Sequence, residues 1–288
     1  MARRLGAVSC AAALAIGGAA QAGPADLQAA AAGYRAQLAA DPERPDLRAA
    51  LGETLEALGD RAGAMAEYDR AVSGRGDSHR ALIDRAHLLV AEGRFDQGRK
   101  DYDRALSRNP RDVEALTGRG ASWVAEGKGK KAPAALADFN AALAIRPGDG
   151  GALNARGNFY LAQLKPDLAL ADFDKALAAN PKDDVVLFNR GVAYKQLGRY
   201  DRALRDFNAV LRLTPGDPMT LAAKGDAYRQ LGDLLLARQF YDAALKADPR
   251  NAASWEARGE IRGALGDGPG GDADKAQARK LDPAIAAS

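Results

Sequence analysis

The sequence predicts an all-α protein built from stacked helix-turn-helix units, and three observations carry that prediction. Prolines recur at a spacing of 34 residues, in Asn180-Pro181, Thr214-Pro215, Asp248-Pro249 and Asp282-Pro283. Small residues recur in phase with them. Aromatics make up only 6% of a chain rich in alanine and glycine, a composition that suits closely packed helices better than sheets. A period in this range decides the architecture before local propensity is considered, because one copy cannot bury its own apolar face.

The prolines frame seven repeats, 45–78, 79–112, 113–149, 150–183, 184–217, 218–251 and 252–285. The third is longer by the insertion around Gly127-Lys128-Gly129-Lys130-Lys131. Residues 23–44 read as a leading helix that begins at Pro24 and stops before Asp41-Pro42, and 286–288 as a tail. A small residue holds the eighth place of each repeat (Gly52, Ala86, Gly120, Gly157, Gly191, Gly225, Gly259) and another the twentieth (Ala64, Gly98, Ala135, Ala169, Ala203, Ala237, Gly271). Side chains this small let two helices approach closely. The turn between them is signalled by Gly59, Gly93, Gly127, Gly198, Gly232 and Gly266, with Leu164 before Lys165-Pro166 as the exception. Leu187 and Tyr194 illustrate the apolar face of a first helix, and Phe207 and Val210 that of a second.

This pattern resembles the tetratricopeptide repeat family over residues 45–285: Gly or Ala at the eighth place, an aromatic at the eleventh, Ala at the twentieth, an aromatic at the twenty-fourth, Ala at the twenty-seventh and Pro at the thirty-second. Departures gather at the ends. Arg48 and Gly76 in the first repeat, and Arg262 and Lys275 in the last, place polar or small residues where the pattern is apolar, aromatic or Pro, as end-capping repeats require. The resemblance implies a right-handed α-solenoid whose concave side is lined by first helices. It also implies a groove for a protein or extended peptide, formed here by Asn154, Asn158, Val185, Phe188, Asn189, Val192, Lys195, Gln196, Met219, Asp226 and Arg229. Amides there suit an extended backbone, and Phe188, Val192 and Met219 supply an apolar patch. Phe188→Ala and Asn189→Ala are expected to weaken capture with thermal stability nearly unchanged. Family members that clamp a chaperone's carboxyl end use five basic and amide places, of which Asn158 and Asn189 match two. Asn154, Met219 and Ala223 stand where bases are needed, so that ligand is not expected.

Arg3 and Arg4, the uncharged run from Leu5 to Ala20 and the small residues of Ala20-Gln21-Ala22 make residues 1–22 a secretory signal peptide. The run is too short and too rich in glycine for a bilayer span, and Cys10 lacks the upstream leucine of a lipoprotein acceptor. The product is expected to be exported, periplasmic or secreted, with no membrane span. Of 41 basic and 38 acidic side chains the segment removes two arginines, leaving about +1 and no overall field to attract nucleic acid or anionic membrane. Cys10 leaves with it, which excludes disulfides and multi-cysteine zinc sites. His79 and His87 share one helix with Asp84 nearby and are expected at the surface, with no further histidine to complete a metal triad. No nucleophile elbow or His-Glu-x-x-His pair occurs, so no catalytic residue, metal or cofactor is expected. Arg75-Gly76-Asp77 reads as a chance tripeptide at a junction, Asp267 to Asp274 as a flexible turn, and the lysine insertion as a mobile loop without a phosphate-cradling motif.

The seventh place reads Leu51, Arg85, Arg119, Arg156, Arg190, Lys224 and Arg258. A basic ladder that tracked a phosphate backbone would make the chain a nucleic-acid-binding helical-repeat protein, the alternative to a scaffold. The twenty-third place, however, reads Glu67, Asp101, Asp138, Asp172, Asp206, Phe240 and Asp274. In a hairpin turning near its fifteenth residue the two places lie level, so each Arg faces an Asp and internal bidentate pairing is expected. The function expected is therefore a non-catalytic exported scaffold that binds a protein or peptide, with no nucleic acid as partner.

Overall fold

The computed structural model describes residues 23–73, 78–127 and 131–287. The signal-peptide reading of 1–22, the tripeptide Arg75-Gly76-Asp77 and residues 128–130 of the lysine insertion lie outside the described residues. Among the described residues there are fifteen α-helices, a closing 3-10 helix (Pro283–Ala287) and no strand, as the periodicity predicts. No described helix is long and apolar enough to cross a membrane.

The chain divides into two compact bodies, Met1–Ala155 and Arg156–Ser288. The N-terminal body holds α1 (Pro24–Ala40) and three hairpins: α2 (Pro45–Ala57) with α3 (Arg61–Ser73), α4 (His79–Ala91) with α5 (Phe95–Arg108), and α6 (Val113–Ala125) with α7 (Ala132–Ile145). The division falls within α8 (Gly150–Ala162). The C-terminal body continues with α9 (Pro166–Ala179), α10 (Asp184–Gln196), α11 (Tyr200–Leu213), α12 (Pro218–Gln230), α13 (Leu234–Ala247), α14 (Ala252–Ala264) and α15 (Gly268–Leu281). Consecutive helices pack on one another from α1 to α7 and from α9 to α15, and first helices also touch across repeats, α2 on α4, α4 on α6 and α10 on α12.

Helix starts are set by the residue that closes the preceding repeat. The side chains of Ser78, Asp112, Asp183, Asp217 and Asn251 each accept a hydrogen bond from a backbone N–H in the first turn of α4, α6, α10, α12 and α14. An N-terminal turn leaves such donors without helical partners, and an oxygen at the cap satisfies one. Inside the hairpins the eighth-place glycines do more than let backbones approach. A Cβ built on Gly191 would stand 2.5 Å from Phe207 Cε1, and one on Gly157 at the same distance from Phe173 Cε1. Both rings are fully buried. The twentieth place is as tight against the first helix: a Cβ on Gly98 would lie 2.8 Å from Val90 Cγ2 and 2.9 Å from the Ala86 carbonyl oxygen.

The turns close α10 and its counterparts with a left-handed residue. After α10 the Gly198 N–H donates to the Lys195 carbonyl (3.1 Å) and the Arg199 N–H to the Tyr194 carbonyl (2.9 Å), with Gly198 at φ 68°. After α8 the same two bonds form, from Leu164 to Leu161 (3.0 Å) and from Lys165 to Tyr160 (2.9 Å), yet the left-handed residue is Leu164 at φ 55°. Its side chain is 82% exposed, so it gains no burial in return for the strained backbone. Left-handed conformation costs an L-residue roughly 1–2 kcal/mol, part of which glycine loses again through its freer unfolded chain. Leu164→Gly is expected to stabilise the protein by about 0.5–1 kcal/mol, read as a raised urea midpoint, whereas Leu164→Val should lower it.

Candidate functional site

Two arrays identified from the sequence bear on function: the seventh-place cations and the first-helix face. The cations are paired. Arg85 donates through Nε and Nη2 to Asp101 (both 2.7 Å), Arg119 to Asp138 (3.0 and 2.6 Å), Arg156 to Asp172 (2.8 and 2.7 Å), Arg190 to Asp206 (both 2.8 Å) and Arg258 to Asp274 (2.7 and 2.8 Å). All five aspartates are buried. The hydrogen bond it donates to Asp206 is the largest influence holding the Arg190 guanidinium above its ordinary pKa, and the bond to Asp138 does the same for Arg119.

A second partner escaped sequence reasoning. The remaining Nη1 of Arg85, Arg119, Arg190 and Arg258 reaches Asp69, Asp103, Asp174 and Asp242 at 2.7–2.8 Å. These acids hold the twenty-fifth place of the preceding repeat, so one guanidinium closes its own hairpin and ties it to the one before. The exceptions keep the logic. Lys224 reaches back to Asn208 (2.7 Å) and lies 3.9 Å from the centre of the Phe240 ring, which replaces the usual aspartate. In the first repeat Leu51 is buried, and Arg48, the residue out of pattern, supplies the guanidinium to Glu67 instead (2.9 Å).

Of the predicted groove residues, Asn158 lies on α8, six on α10 and three on α12, all in the C-terminal body, while Asn154 belongs to the N-terminal body. Val185, Asn189 and Met219 are half-buried, and Gln196 is exposed. Lys195 Nζ pairs with Asp226 Oδ2 (2.6 Å), whose other oxygen accepts from the Tyr241 hydroxyl, and Arg229 Nη1 donates to Glu260 on α14 (2.8 Å). These charged places thus brace successive first helices.

Three expectations need correction. The stretch from Asp267 to Asp274, expected as a flexible turn, is the capped start of α15, with Asp267 accepting from the Gly270 N–H. Phe188 and Val192 pack against the buried cluster of Ala203, Phe207 and Ala223, with the Phe188 and Phe207 ring centres 5.7 Å apart. Phe188 therefore serves the core as well as the face, and truncating it is not neutral. His87, expected at the surface, is instead half-buried. Its ring meets Tyr102 edge-on at 5.6 Å, Nε2 is shut off from solvent, and burial pushes its pKa down to about 4. His79 instead pairs with Asp112 (2.6 Å). At the insertion, Lys131 is held by Glu126 (2.8 Å) and stands over the Trp123 ring at 4.7 Å.

A family model described as Tetratricopeptide repeat matches residues 83–150 and 154–218, and a second of that description matches 220–251, together more than half of the chain. No curated protein matches it. Among solved structures the chain is similar to a tetratricopeptide repeat protein from Parabacteroides merdae ATCC 43184, with 21% identity over 83% of this chain and 93% of that one and a TM-score of 0.63. It is similar also to pilF of Pseudomonas aeruginosa, at 22% identity over 71% and 92% with a TM-score of 0.62. A third likeness is to YrrB, described as a TPR protein with an unusual peptide-binding site, at 23% identity over 66% and 97% with a TM-score of 0.50. Identities this low speak for the fold alone.

Arg190→Ala leaves Asp206 buried without its guanidinium. Because Arg190 itself keeps 23% of its side-chain surface, the expected loss is about 2 kcal/mol, below that of a fully buried pair. Arg190→Lys should recover only part of it, and chemical denaturation of the three proteins measures both. Phe188→Ala is expected to cost about 2 kcal/mol in the same assay, against near-zero for Gln196→Ala.

Proposed function

Because this chain belongs to the tetratricopeptide repeat family, we propose that it is an exported, non-catalytic scaffold that holds a protein or extended peptide on the first-helix face of its C-terminal body. The observation that carries this reading is the strip formed by Phe188, Val192 and Met219. These apolar side chains remain half-buried after the hairpins have packed, and Asn189 and Gln196 lie on α10 with Phe188 and Val192, while Met219 stands on α12. Apolar anchors beside amide groups suit an extended backbone with one or two buried side chains. Helices that are already braced, by Lys195 to Asp226 and Arg229 to Glu260, give up little entropy on docking. The peptide-binding site of YrrB supports such an occupant for a related fold.

Export rests on the pattern of Arg3, Arg4, Leu5 to Ala20 and the small residues before Gly23. The nucleic-acid alternative is the weaker one. Arg85, Arg119, Arg190 and Arg258 would have to abandon contacts to two carboxylates each to reach phosphates, at a cost no solvent-exposed cation incurs.

A photo-crosslinking residue tests the face. Placed at exposed Gln196 on α10 it is expected to give discrete partner adducts in cells, and placed at exposed Arg205 on α11 it should give none. Adducts confined to position 205, or of equal yield at both, would remove the first-helix face as the binding surface.

A further inference from the structure

In the N-terminal body the first-helix face carries different chemistry. Asp84 and His87, three residues apart, lie on one face of α4, and Glu114 stands at the start of α6, which packs against α4. A carboxylate oxygen of Asp84, a ring nitrogen of His87 and a carboxylate oxygen of Glu114 all lie within 4.8 Å of one another. Asp84 is only 5% exposed. His87 Nε2 is closed to solvent and has no hydrogen-bond partner, an expensive state for a ring nitrogen that ordinarily donates or accepts.

The charges around this cluster do not balance. Arg80 is the cation in contact with it, donating to Glu53 (2.9 Å), Asp84 (3.0 Å) and Glu114 (3.0 Å). Three carboxyl groups thus converge on one guanidinium. Flanking groups do not remove the surplus, since His79 is engaged by Asp112 and the Tyr102 ring packs edge-on against His87.

We propose that Asp84, His87 and Glu114 form a site for one divalent transition-metal ion of zinc's class. One imidazole and two carboxylates are a nitrogen and oxygen donor set that zinc accepts, while the hard cations calcium and magnesium favour oxygen alone. Donors at about 2.0–2.2 Å from zinc stand roughly 3.5 Å apart, so the observed spacing closes by side-chain torsion of about 1 Å. Each carboxylate oxygen has a second lone pair, so the bonds to Arg80 do not exhaust Asp84 and Glu114. Two positive charges would offset the surplus that Arg80 leaves. Three protein ligands leave a coordination position for water or for a donor from a bound partner.

The test uses the untagged chain and zinc chloride in isothermal titration, with cobalt absorption as a second readout of nitrogen and oxygen coordination. One saturable zinc per chain is expected, with magnesium and calcium at least tenfold weaker. Glu114→Gln should weaken zinc by at least about tenfold. His87→Gln should do the same, and if that variant misfolds by circular dichroism the half-buried Glu114 change still decides. Glu260→Gln, in the other body, should leave binding unchanged. Absence of saturable zinc uptake, or equal affinity in wild type and Glu114→Gln, overturns the proposal. So does saturable binding of an oligo-arginine peptide where zinc fails, which would assign the surplus charge to a cationic partner.

Discussion

In most repeats an aromatic ring occupies the space a side chain would need on the facing helix. Phe207 lies on Gly191, Phe173 on Gly157, Phe139 on Gly120 and Tyr241 on Gly225, each ring within 3 Å of where a Cβ would be. The contact fixes how closely the two helices of a hairpin approach, and hence which other residues come level across the seam. Dense packing of this kind leaves no room for adjustment, since an added methyl group must displace a buried ring or the backbone behind it. Alanines at the twentieth place, fully buried in α3, α7, α9, α11 and α13, complete the same approach from the opposite helix.

Once the helices are that close, charges near the seam have to be matched. The bidentate arginine to aspartate pair satisfies this within a hairpin, and the third guanidinium nitrogen extends it to the hairpin before. In an array where each copy contacts only its neighbours, such a link couples stability from one copy to the next. The first repeat shows that the twenty-third-place acid can take its guanidinium from another place in the sequence. Arg48 supplies it to Glu67 from the fourth place, while Leu51 turns inward.

The architecture was legible because a fixed period of prolines and small residues is a one-dimensional signal. The pairing of Arg190 with Asp206 was legible for the same reason, since positions level across one hairpin follow from helix geometry alone. The bond from Arg190 to Asp174 was not, because it depends on the offset between successive hairpins. Phe188 was read as a surface anchor because first-helix places alternate between core and face, and a large ring at one of them serves both. His87 was read as exposed because a lone histidine carries no periodic mark of burial, even with Ala86 before it and Leu88 and Leu89 after it. Only when α4 and α6 are packed does its ring come beside Glu114, 27 residues away in sequence.

Lys224 breaks the charge pattern. Its ammonium meets a neutral amide, Asn208, and an aromatic face where its counterparts grip carboxylates, and burial lowers its own pKa. The junction between α11 and α12 therefore lacks the arginine to aspartate link that ties α9 to α10 and α13 to α14. There the connection between neighbouring hairpins passes to Lys195 and Asp226, which join the first helices, and amide protons along the boundary of α11 and α12 would exchange with solvent sooner than those buried within either hairpin.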